Sequence, residues 1–241
     1  MAGTDALAAV PGLPETAVPA SVLERLPASS PPPPWRLRTR AVVWVARGRP
    51  RPAPQRAWPV TVGAVVDYLD GPVGPYREVF GAVLLRRLGL PTVHVPFIAV
   101  DSLPSLRAGR AHWKLPKALA GFTGSVRDRV RVDGAGWSVE VAARAYGPRL
   151  PAAAPVRSAQ GDRWTLVTVR GTVRAALVTV DASGPALGSW LGSGRHAGFV
   201  ADGHVVVHPA GPAGAPGWGV RPGPGTGGRD RGLGPGLGPG A

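Results

Sequence analysis

The sequence predicts a mainly β protein, α+β at most, with antiparallel strands closing part of the way into a barrel. Three observations carry this. Short apolar runs rich in Val recur between residues 41 and 207, turn residues separate them, and helical periodicity is scarce. Many short strands with turn signals between them favour a barrel or a sandwich.

The elements follow in order. Ala41–Ala46 is a β-branched apolar run with Arg on both sides, and Val60–Tyr68 and Val79–Leu85 are two more. Val93–Val100 is apolar, and its Pro96 argues for an edge or a bulge. Gly124–Ala143 reads as a hairpin. Val126, Asp128, Val130 and Val132 alternate with Arg127, Arg129 and Arg131, Asp133–Gly136 turns the chain, and Trp137, Val139 and Val141 alternate with Ser138, Glu140 and Ala142 on the return. Trp164–Val169 and Val173–Val180 are further strands. Phe199–Val207 reads as a hairpin about Asp202-Gly203, a strong two-residue turn signal. Helical signals are confined to a turn or two in Val18–Leu26 and a short turn or helix after Pro116 within Leu115–Ala120.

Composition sets the domain organisation. Residues 1–34 are rich in Ala and Pro and end in four consecutive prolines, and residues 209–241 are nearly all Gly, Pro, Ala and Arg. Such segments bury too little apolar surface to offset their ordering entropy, so both are expected to be disordered tails. The domain is then 35–208, enough for one core.

A net charge of +14 invites a nucleic-acid reading. The arginines are scattered, however, with no basic stripe and no aromatic-plus-basic RNA signature. Ala, Gly, Pro, Val and Arg are inflated together, as a bias acting on the whole gene would produce. No nucleic-acid partner is expected, although the charge can steer small anions. With no cysteine, disulfides and thiolate metal sites are excluded. His94, His112, His196, His204 and His208 are too dispersed for a metal site. No signal peptide or membrane span is apparent, so a soluble cytoplasmic protein without a membrane partner is expected. Whether it forms a homo-oligomer stays open.

Lysine is nearly absent. The 28 basic side chains are arginines except for Lys114 and Lys117, three residues apart. Arg keeps its proton at any ordinary pH, whereas a desolvated Lys becomes a nucleophilic amine. A lysine held between Pro, Leu and Ala is a candidate for covalent chemistry. The plainer alternative is a solvated surface group.

Two segments resemble the acetoacetate decarboxylase family. Gly109-Arg110-Ala111-His112-Trp113-Lys114-Leu115-Pro116-Lys117-Ala118-Leu119 is similar to its Gly-Arg-Glu…Pro-Lys-Lys-Leu string, and Gly74-Pro75-Tyr76-Arg77-Glu78 upstream to its Gly-x-Tyr-x-Glu. The apolar Val95–Val100 run between them suits the family pattern. The resemblance, over roughly 35–180, implies the decarboxylase-like partly closed barrel or cone. It implies that Lys117 forms an imine with a keto acid and that Glu78 positions substrate or carries protons. Amine activation by desolvation or a neighbouring cation is the device known for acetoacetate decarboxylase itself.

The resemblance also implies a small-molecule keto acid as partner, no cofactor, and β-keto acid decarboxylation. A catalytically silent binding protein and an aldolase-dehydratase-like enzyme are its alternatives. Arg38 and Arg40 lie near the place of a substrate-carboxylate arginine, and Trp113 and Phe97 are expected to line the pocket. Arg110 is expected to be structural. Three positions depart from the pattern: Ala118 stands for the second lysine, Ala111 for Glu, and Gly63 for another pocket carboxylate.

Overall fold

The structure, a computed structural model, describes residues 4–48, 57–86 and 89–212. The chain begins with α1 (Thr4–Ala8), a 3-10 turn (Pro14–Thr16) and α2 (Ala20–Leu23). Four long strands follow: β1 (Trp35–Arg47), β2 (Ala57–Asp70), β3 (Tyr76–Leu85) and β4 (Thr92–Val100). Next come α3 (Leu103–Trp113), β5 (Lys117–Leu119), β6 (Gly121–Gly124), β7 (Arg129–Gly134) and β8 (Trp137–Ala145). The chain continues through β9 (Leu150–Gln160), β10 (Arg163–Ser183), α4 (Leu187–Leu191), β11 (Gly194–Val207) and β12 (Gly211–Pro212).

The sheet runs β11-β1-β2-β3-β4-β9-β10, and β10 also pairs β11, so seven strands close a ring. Closure is partial. Among the described residues the β4–β9 ladder has two register pairs, Thr92↔Arg157 and Val93↔Ser158, and it is parallel. β5 adds to β4 in parallel, and the remaining pairings are antiparallel. Beyond β10, the strands β8, β7 and β6 extend the sheet.

Strand alternation sorts the side chains onto two faces. On the outer face of the ring, Val42, Trp44, Val79, Val83 and Phe97 pack against Val130, Val139, Val141 and Trp137 of the extension in the main core. On the inner face, Trp35, Leu37 and Tyr76 pack with Leu106 and Trp113 of α3. Helix α3 plugs the ring there.

Several expectations need correction. The segment 4–34 is not a loose tail. Leu7 and Leu13 are buried, Leu13 donates its N–H to the Pro96 carbonyl, and Glu15 accepts from the N–H groups of Ala186 and Leu187. Buried Arg110 anchors this segment, which low complexity alone could not reveal. Residues 209–212 also pack, with Gly211 and Pro212 paired to Trp164 and Arg163, while 213–241 lies outside the described residues.

Asp202-Gly203 makes no hairpin turn and sits within continuous β11. A Cβ on Gly203 would come within 2.4 Å of the Arg170 carbonyl, so this glycine serves close strand approach. The arm expected from Gly124 breaks at Ser125–Asp128, where Ser125 N–H donates to the Arg129 carbonyl. The two segments within 163–183 form one strand.

Strand β9 and helix α3 are among the elements that went unread in the sequence. Strand β9 carries Ala and Pro where β-branched residues were sought, and its eleven-residue ladder with β10 supplies what propensity lacks. Helix α3 is capped by Ser102, whose side chain accepts from Ser105 N–H at 3.3 Å, with Pro104 in the first turn. The helix therefore precedes Lys114, and the segment after Pro116 is strand.

Candidate active site

The Gly-x-Tyr-x-Glu segment opens β3. Gly74 takes a left-handed φ of +77°, which its missing Cβ permits, and the strand starts two residues later. Period two then puts Tyr76 and Glu78 on the inner face and Arg77 on the outer. Arg77 pairs there with Asp101, Nε to Oδ2 at 2.9 Å.

Lys117 arrives from the other motif. Helix α3 ends at Lys114, in the left-handed region at φ 53°, and the reversed chain enters β5 beside β4, with Lys117 opposite Ile98. The Lys117 stem crosses α3 at Gly109. A Cβ on Gly109 would lie 2.4 Å from Lys117 Cδ and 2.8 Å from Cγ and Cε. The glycine of the Gly-Arg pair thus opens the path of the lysine.

The amine ends in a closed polar cluster. Lys117 Nζ donates to Glu78 Oε2 at 2.7 Å and to Ser105 Oγ at 2.9 Å, and stands 5.3 Å from the Tyr76 ring centroid. Tyr68 OH donates to Glu78 Oε1 at 3.0 Å, and its ring stacks on Tyr76 at 4.4 Å. The Lys117 and Glu78 side chains are only 4% and 6% exposed. Burial, and then the Glu78 carboxylate, push both phenols well above their ordinary pKa, so they stay protonated.

Glu78 and Tyr68 also border a cavity of about 250 Å³ inside the ring, walled mostly by apolar side chains, valine above all, with Trp113 and Leu115 among them. Trp113 meets Trp35 edge to face at 5.1 Å and donates Nε1–H to the His208 carbonyl. Lys117 itself does not line the cavity. It touches the lumen through Glu78.

Arg110 ties the surroundings together. Its Nε donates to the Lys117 carbonyl at 2.7 Å, Nη1 to Leu7 O at 2.7 Å, and Nη2 to Thr16 O at 2.6 Å. Burial lowers its pKa to about 10, which leaves the guanidinium charged at neutral pH. Lys114 points into solvent and pairs with Asp162 at 2.6 Å.

Three expected pocket residues lie elsewhere. Arg38 and Arg40 alternate with Leu37 and Thr39 and so project from the outer face of β1. Arg38 is exposed, and Arg40 pairs with Asp202 at 3.2 Å. Phe97 lies in the main core, edge to face with Trp137 at 5.2 Å, because its strand position faces outward.

The departures from the family pattern acquire causes. Ala118 belongs to the main core, so a lysine there would stand on the opposite face from Lys117. At Gly63 the Trp44 indole fills the place, 2.2 Å from where a Cβ would be. No carboxylate fits. Tyr68 and Ser105 went unnoticed in the sequence. Tyr68 ends a long β-branched run, and Ser105 has a signal only as the third residue after a helix-capping Ser. Among the described residues, no group of three or more His, Asp or Glu could hold a metal ion.

A partly closed, mainly β barrel plugged by one helix, with a buried lysine–glutamate pair at its lumen, defines the class. The fold is that of acetoacetate decarboxylase. The chain is similar to one such solved structure at 13% identity and a TM-score of 0.52, covering 76% of this chain and 90% of that one. It is similar to the acetoacetate decarboxylase of Legionella pneumophila subsp. pneumophila at 14% and 0.52, covering 79% and 93%. A third likeness is to the enduracididine biosynthesis enzyme MppR complexed with pyruvate, at 16% and 0.50, covering 77% and 92%. At such identities the likeness establishes the fold. No protein-family model matches the chain, and no curated protein matches it. No helix among the described residues is long and apolar enough to cross a membrane.

Proposed function

We propose that this protein is an imine-forming carbon–carbon lyase that decarboxylates a β-keto acid, with Lys117 as nucleophile and Glu78 as proton carrier. The observation that carries it is the buried Lys117 Nζ, 2.7 Å from the Glu78 carboxylate, which borders the lumen. An amine must be neutral to attack a carbonyl, and Glu78 Oε2 is placed to take its proton.

The steps balance. Nζ adds to the keto carbon, and the carbinolamine oxygen leaves as water with the proton returned by Glu78. The protonated imine draws in the electron pair of the breaking C–COO bond as CO₂ departs. The enamine then takes up one proton at its terminal carbon, delivered through Glu78, and water releases the ketone. Net, one proton is consumed and one CO₂ formed. The protonated Tyr68 holds Glu78 in place through Oε1. Among the described residues, no cation lines the lumen. A substrate carboxylate there gives up its hydration, which favours its loss as neutral CO₂ over its retention in an aldol reaction.

One observation favours a second reading. Nζ has two hydrogen bonds and an aromatic face beside it, an arrangement that also suits a permanent ammonium in a binding protein. Borohydride reduction with a panel of β-keto and α-keto acids, read by intact mass, separates the two. An adduct is expected in the parent and in Lys114→Arg, and none in Lys117→Arg, because guanidinium stays protonated. Adduct lost in Lys114→Arg alone would move the nucleophile to Lys114. No adduct across the panel would leave the binding protein.

A further inference from the structure

We infer that the lumen takes the aliphatic chain of a medium-length 3-oxo acid, of about six to eight carbons, in preference to a four-carbon acid. The inference rests on the lyase reading and names its substrate class.

The first observation is the chemistry of the wall. Val93, Val95, Val156, Val167, Val205 and Val207 come from four strands and present branched apolar surface. Phe80, Ile98, Trp113 and Leu115 add to it. Such a wall offers an alkyl chain contact along its length and offers an anion nothing.

The second observation is size. A dry apolar cavity of about 150 Å³ holds the six carbons of benzene. On that scale, about 250 Å³ holds roughly ten non-hydrogen atoms. A four-carbon 3-oxo acid has seven and leaves the wall partly uncovered. A chain longer by two to four methylenes fills the space.

The third observation is access and polarity. Val169 lines the cavity and is 37% exposed, so the lumen reaches solvent beside it, while Glu78 borders the lumen and holds Lys117 Nζ. Ser158 also lines the lumen. Its Oγ is buried and has no hydrogen-bond partner in the protein, which leaves one hydrogen bond for an uncharged ligand oxygen.

Each methylene moved from water to such a wall is worth about fourfold in affinity or kcat/KM. Two experiments on the full chain test the proposal and keep it distinct from the lysine reading. Straight-chain 2-alkanols form no imine, so their binding, followed by calorimetry from four to ten carbons, reports the lumen alone. Affinity is expected to rise about fourfold per methylene and to level off near eight carbons. Val167→Phe, with its fold checked by melting, is expected to bring the plateau about two carbons shorter. A flat series, or a rise unbroken to ten carbons in both proteins, overturns the proposal.

Borohydride trapping with 3-oxo acids of four, six and eight carbons is the second arm. Trapping efficiency is expected to rise roughly 15-fold for the first two added carbons. Equal trapping of all three would leave the lysine reading intact and overturn the chain proposal. A normal alkanol series with no oxo acid trapped would do the reverse.

Discussion

Replacing Gly109 by Ala tests whether the path of the lysine, and not only its identity, makes the site. The new methyl would sit 2.4 Å from Lys117 Cδ, where ordinary contact begins at 3.4 Å. The stem must retreat by about 1 Å, and the helix backbone cannot yield instead because Arg110, the next residue, is bound to three separate segments. Two terms compete in stability. Ala gains about 1 kcal/mol of helix propensity over Gly, while overpacking of this kind costs about 1–3 kcal/mol. The net loss is therefore about 0–2 kcal/mol, a melting point lower by at most about 8 °C. Chemistry is hit harder, since a misplacement of about 1 Å can cost on the order of 100-fold in rate. The assay is the initial rate of borohydride-trapped adduct beside a thermal melt. Gly188→Ala is the control, because Gly188 lies in helix α4 with nothing within 4 Å of the added carbon, and it should be neutral or stabilising. A Gly109→Ala protein that melts above the parent and traps at the parental rate would refute the steric reasoning.

The remaining predictions concern what surrounds the pair. Arg110→Ala strips the buried carbonyls of Leu7, Thr16 and Lys117 of their donor, at about 1–3 kcal/mol each. A loss of at least about 3 kcal/mol is expected in denaturant melts, with faster proteolysis within residues 1–34; unchanged cleavage there would deny that Arg110 holds the segment. Glu78→Gln leaves a buried ammonium beside a neutral amide and is expected to cost about 3–5 kcal/mol, read from the same melts; a parental melt would deny that the pair is buried as an ion pair. The raised phenols of Tyr68 and Tyr76 set an alkaline limit. The folded state binds their protons more tightly than the unfolded chain does, so this stability is complete below pH 10 and is lost as pH climbs above it. Absorbance titration should show two of the three tyrosines ionising only as the protein unfolds, and free ionisation of all three in the folded state would contradict the geometry.

Much of the strand content was legible because its cause is local. Valine-rich runs read as strands wherever one face meets a core, and Tyr76 and Glu78 share a face by period alone. The rarity of lysine in an arginine-rich chain marks Lys114 and Lys117 together, and the Pro-Lys motif points to Lys117. What could not be read depends on partners distant in the chain. Strand β9 exists because β10 offers a complete ladder, and Asp202-Gly203 stays straight because β1 and β10 pair it on both sides. Arg38, Arg40 and Phe97 were misplaced because a single strand does not say which of its two faces will enclose the lumen. Ring closure decides that, since β1 pairs β11 from Trp35↔Val207 to Trp44↔Gly198, strands that lie at opposite ends of the chain. Strand β4 pairs with both β3 and β5, and so brings Glu78 and Lys117, 39 positions apart, within hydrogen-bonding distance. The sequence by itself determined the chemistry available and the period of each strand. The tertiary structure decided which face became the inside, because burial is a property of the closed sheet and not of any one strand.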